Sequence, residues 1–115
     1  MTKSHLIDEI TALYKKHGWT LKSVILRPDT AAELAVESDR LFEGVERVES
    51  DVDALWFTRP SHGDAEAWEL RLIAETPYAL FERISSDEDE KVRNEILESM
   101  EERLRQYVFP TATGH

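Results

Sequence analysis

Residues 53–72 read DALWFTRPSHGDAEAWELRL, and the way this stretch folds back on itself decides the fold. Two apolar-rich runs flank a polar corner, RPSHGD, at positions 59–64. Alternation of period two marks both runs as strands of an antiparallel hairpin. A register that sets Trp56 opposite Trp68 also sets Val52 opposite Leu72 and Ala54 opposite Leu70 on one side of the sheet. The other side then pairs Asp53 with Arg71, Leu55 with Glu69 and Phe57 with Ala67. A slip of one residue would throw the two apolar sets onto opposite faces, so the competing registers lie two residues away. The tryptophan pair adds ~1 kcal/mol beyond its burial, against ~0.2–1 kcal/mol for an exposed Asp53–Arg71 pair. Packing, not charge, sets this register.

The corner itself has two readings. In the first, His62 is a base or metal ligand, Asp64 orients it and Arg59 clamps an anion. In the second, Pro60 and Gly63 supply turn geometry and Asp64 bonds to nearby backbone. A short exposed turn has no hydrophobic wall, and nothing fixes Ser61 as a nucleophile. The second reading is favoured.

Working outward, VERV (45–48) precedes the hairpin, and Val48 opposite Val52 would leave a short loop, Glu49–Ser50–Asp51. YALFERI (78–84) supplies a further strand after the turn-like AETP. Towards the N-terminus, WTLKSVILRP (19–28) is β-rich, and its consecutive Val24, Ile25 and Leu26 imply cover on both faces. SHLIDEITALYKKHG (4–18) places Leu6, Ile7, Ile10, Leu13, Tyr14 and His17 on one helical stripe, with Ser4 to start the helix and Gly18 to end it. A second helix is expected after Pro28, opened by the Thr30/Glu33 capping box and ending at Gly44. At the other end, Ser85 and Glu88 predict the cap of a long helix with Val92, Ile96, Leu97, Met100, Leu104 and Tyr107 on its buried stripe. Glu101 is spaced to pair with Arg105.

The fold class that follows is α+β. A two-layer sandwich is expected, with an antiparallel sheet of four or five strands, helices mainly on one face and element order α-β-α-β-β-β-(β)-α. A parallel crossover around the second helix is the alternative. Residues 1–109 form a single domain and 110–115 a frayed tail.

Composition narrows the function. The 115 residues carry 24 acidic and 14 basic side chains, a formal charge of -10 that repels phosphate backbones and anionic membranes. No apolar run approaches the ~20 residues of a membrane span, and MTKSHLIDEI lacks a signal core. A cytoplasmic protein is expected. Without cysteine there is no disulfide, thiol nucleophile or cysteine zinc site. His5, His17, His62 and His115 follow no metal-ligand spacing, SDEDE (86–90) lacks the glycine and spacing of a calcium loop, and no glycine-rich phosphate loop occurs. No cofactor is expected.

Two functional expectations remain. If all helices cover the tryptophan face, Leu55, Phe57 and Ile73 form an exposed patch on the opposite face. The chain is then an interaction module without a catalytic site, pairing with itself through that face or an edge strand, or with a basic protein. Alternatively, a pocket between helix and sheet binds a small molecule or supports catalysis, with Arg59, His62, Glu69, Arg71 and Arg93 as its polar groups.

Overall fold

A computed structural model describes residues 2–110; the expected tail beyond Pro110 lies outside the described residues. The elements are α1 (Lys3–Lys16), β1 (Thr20–Leu26), α2 (Pro28–Glu33), α3 (Ser38–Leu41), β2 (Glu46–Glu49), β3 (Ala54–Pro60), β4 (Ala65–Leu72), β5 (Ala79–Ser85) and α4 (Glu90–Val108). The class is α+β, with one five-stranded sheet in the order β2-β1-β3-β4-β5.

The sheet is mixed. β2 runs parallel to β1, with Ile25 beside Val48, and is separated from β3 by β1. The expected Val48–Val52 hairpin is therefore replaced by the crossover through α2 and α3. Asp53 secures that crossover: its carboxylate accepts from the Arg27 backbone N–H (2.8 Å) and the Thr30 hydroxyl (2.7 Å). This explains two departures from expectation. Thr30 lies inside α2, buried and bonded to Asp53 just before β3, instead of capping a helix. Asp53 is committed to α2 and does not meet Arg71. Pro28 opens α2 at a position where a missing N–H costs nothing, and the expected single helix is divided between α2 and α3.

The hairpin takes a register two residues from the one anticipated: Trp56 pairs with Leu70, Thr58 with Trp68, Leu55 with Arg71 and Phe57 with Glu69. Parity survives, so both indoles share a face and meet edge to face at 5.9 Å, diagonal neighbours two residues off directly opposite. The corner closes through Ser61 N–H to Ala65 O (2.9 Å), with Gly63 at φ 65°.

Helices cover both faces, α1 on one and α4 on the other, where cover mainly on one face was expected. α4 packs over Trp56, Trp68, Leu70 and Ile84 through Met100 and Leu104. Its start is capped by Asp89, which accepts from Val92 N–H (2.9 Å), in place of the Ser85 box. The Glu101–Arg105 pair forms as spaced, and Arg105 also holds Asp51 at 2.7 Å. On the opposite face α1 sets Ile7, Ile10 and Tyr14 against Val24, Leu26, Leu55, Phe57 and Ile73, joined by Leu34 and Phe42 from the crossover. Thr2, not Ser4, caps α1 by accepting from His5 N–H (3.1 Å). At its other end Gly18, at φ 86°, turns the chain into β1.

Candidate functional site

Leu55, Phe57 and Ile73 are 0%, 1% and 5% exposed beneath α1, so the expected interface patch is core. The premise that all helices sit on the tryptophan face fails because α1 is long enough to cover the other side of the central strands. It does not cover all of that side. α1 lies against β1 and α3, whereas α4 lies against β4 and β5. Alternation along β5 sends Leu80 and Ile84 towards α4 and turns Ala79, Phe81 and Arg83 outward; all three are exposed.

An open half-face results, bounded by the flank of α1 on one side and the free edge of β5 on the other. A chain of four aromatic rings runs from the core beneath α1 out to it. Phe57 stacks on Tyr14 at 4.1 Å, Tyr14 meets Trp19 edge-on at 6.0 Å, and Trp19 meets Phe81 edge-on at 6.3 Å. Leu13, expected on the buried stripe of α1, projects over this region and is 51% exposed. The guanidinium of Arg59 lies 4.7 Å from the Trp19 ring and donates to the His17 carbonyl (2.8 Å), tying β3 to the end of α1.

Two adjoining clefts open here, and both are bordered by His17. One, of about 250 Å³, is lined by Leu13, Tyr14, His17, Trp19, Glu69 and Arg71. The other, of about 390 Å³, includes Arg59, His62 and Phe81 in its wall. The proposed polar groups are thus split: Glu69 and Arg71 share one cleft, and Arg59 and His62 share the next. Arg93 belongs to neither, because α4 carries it over the opposite face of the sheet.

The first cleft holds the more unusual chemistry. Arg71 is 8% exposed, the one buried charged side chain among the described residues. Its Nε donates to Leu72 O (3.1 Å) and its Nη2 to Ala74 O (3.3 Å), which fixes the plane of the guanidinium. It makes none of the ion pairs found among the described residues. Glu69, two residues along the same side of β4, instead accepts a short hydrogen bond from the Tyr14 hydroxyl through Oε2. Burial, and then the Glu69 carboxylate, push the Tyr14 phenol well above its ordinary 10.0, while Arg71 pulls the other way. Tyr14 is therefore a firm donor at neutral pH.

No known protein family, curated protein or solved structure gives a match to this chain. The chemistry of the site thus rests on its own geometry. Among the described residues no group of three or more His, Asp or Glu is arranged to hold a metal ion, and no helix is long and apolar enough to cross a membrane. Tyr14, Trp19 and Phe81 are the participants that sequence reasoning did not assign to a site. The signal for Phe81 was present: in YALFERI it shares a parity with Ala79 and Arg83, opposite Leu80 and Ile84.

Proposed function

We propose that this chain is a small acidic interaction module of the cytoplasm that acts as a homodimer joined edge to edge through β5. The observation that carries the reading is Phe81, 48% exposed at the centre of an uncovered edge strand. Leu72 N–H bonds to Tyr78 O and Ser86 N–H to Asp64 O, so even-numbered positions of this segment face β4. Backbone groups of Ala79, Phe81 and Arg83 then point to the free side, ready for another strand. The other edge contrasts with it. β2 has four residues, ERVE, whose charges and shortness suit a strand that stays unpaired.

A second copy fits this edge by two-fold symmetry. Antiparallel pairing centred on Phe81 sets it opposite Phe81 of the second copy, with Ala79 opposite Arg83. The sheet continues to ten strands, twice the five of one copy. Two chains of charge -10 repel at long range, so salt should tighten the dimer. A basic partner would instead be released by salt.

Sedimentation equilibrium tests the reading. The wild-type chain is expected to dimerise at high micromolar concentration, more tightly at higher ionic strength. Phe81→Glu, which sets like charges opposite each other, is expected to be monomeric with unchanged circular dichroism. A monomeric wild type, or a dimer untouched by the substitution, would overturn it.

A further inference from the structure

The cleft between α1 and β4 has a recognition chemistry that edge pairing does not use. Its volume of about 250 Å³ lies below the ~300–1,000 Å³ of sites for drug-sized ligands, which limits an occupant to a small metabolite. Two of its walls are apolar, Leu13 and the Trp19 ring. Its floor presents one fixed cation and one anion that do not pair with each other, Arg71 and Glu69.

A buried guanidinium without a carboxylate partner is costly, and bonds to two carbonyls compensate it only in part. A ligand carboxylate would complete it. A simple anion is a poor match, however, because Glu69 lines the same cleft and the whole chain carries -10. A ligand bearing both charges meets neither objection. Tyr14 occupies Oε2 of Glu69, which leaves Oε1 as the acceptor for a ligand cation.

We propose that this cleft binds a zwitterionic α-amino acid with an apolar side chain. The carboxylate lies on Arg71, the ammonium on Glu69, and the side chain between Leu13 and Trp19. The proposal does not rest on the dimer: Phe81 lies outside the lining of this cleft, although its ring meets the outer edge of Trp19.

The test is a titration of the isotope-labelled full chain with phenylalanine, followed by backbone amide and indole N–H shifts. Saturable shifts at Tyr14, His17, Trp19, Glu69 and Arg71 are expected, with a Kd of about 1 mM or tighter. N-acetylphenylalanine and phenylalanine amide, each lacking one charge, should bind about tenfold more weakly or worse. Arg71→Met keeps the bulk without the buried charge, and should lose about tenfold in affinity while α4 keeps its native shifts. If that variant fails to fold, Glu69→Gln preserves an acceptor for Tyr14 and should weaken phenylalanine similarly. No saturable shift at millimolar ligand, shifts centred elsewhere, equal binding of either blocked analogue, or full affinity in a folded variant would each overturn the proposal. Sedimentation of the same samples reads the dimer separately, so either idea can fail alone.

Discussion

On one side of β4 and β5, Trp68, Leu70 and Ile84 are 8%, 0% and 3% exposed under α4, whereas on the other side of β5 Phe81 is 48% exposed. The same two strands serve both sides, so strand propensity cannot be the cause. Helix length and placement are. α4, at 19 residues, spans the outer strands, while α1, at 14, is spent on the centre of the opposite face and its crossover neighbours. One side is committed to stability and the other is left available for recognition.

Substitutions can break or sharpen that contrast. The largest effect is expected from Leu104→Ala, which empties a fully buried position under α4. It should cost ~2–5 kcal/mol in urea unfolding at unchanged slope. A loss under ~1 kcal/mol would mean that α4 does not seal its face.

Tyr14→Phe comes next, because it removes a bond to a carboxylate at the border between the covered and open regions. A loss of ~1.5–3 kcal/mol is expected. The same residue makes a pH prediction. Its phenol titrates higher when folded than the ordinary 10.0, so its contribution is complete below that value and is lost as pH rises beyond it. The wild type should therefore lose stability above pH 10.0 more steeply than Tyr14→Phe, as read by unfolding midpoints across alkaline pH.

The smallest effect belongs to Phe81→Ala. In dilute monomer it should change stability by no more than ~1 kcal/mol, the scale of its one edge-on contact with Trp19. A loss like that of Leu104→Ala would mean that Phe81 is core and the half-face is closed.

Much of this arrangement was legible in the chain. Alternation through Trp56 and Trp68 placed both indoles on one face because a period-two pattern survives a shift of two residues. For the same reason it left the register open, and the observed pairing of Trp56 with Leu70 is set by contacts that sequence spacing does not encode. Cover of the Leu55 face was misjudged because helical periodicity shows which side of α1 is apolar but not which side of the sheet receives it. The parallel β1–β2 pairing was hidden similarly: Glu49–Ser50–Asp51 resembles a hairpin loop, and nothing in its spacing shows that Asp53 accepts from Arg27 and Thr30 to hold a crossover instead. Glu69 and Arg71 were recognised as polar groups near a helix, but their neighbour Tyr14 looked like ordinary stripe. Arg93 shows the converse error, a charge on an apolar stripe that belongs to the other layer.

Amide hydrogen exchange on β5 tests the central claim most directly. In dilute solution Phe81 and Arg83, whose N–H groups face the free edge, should exchange rapidly while Leu80 and Glu82 stay protected. Raising the concentration should protect Phe81 and Arg83 in the wild type and leave them fast in Phe81→Glu. Slow exchange at both positions in dilute monomer, or fast exchange at every concentration, would contradict the account.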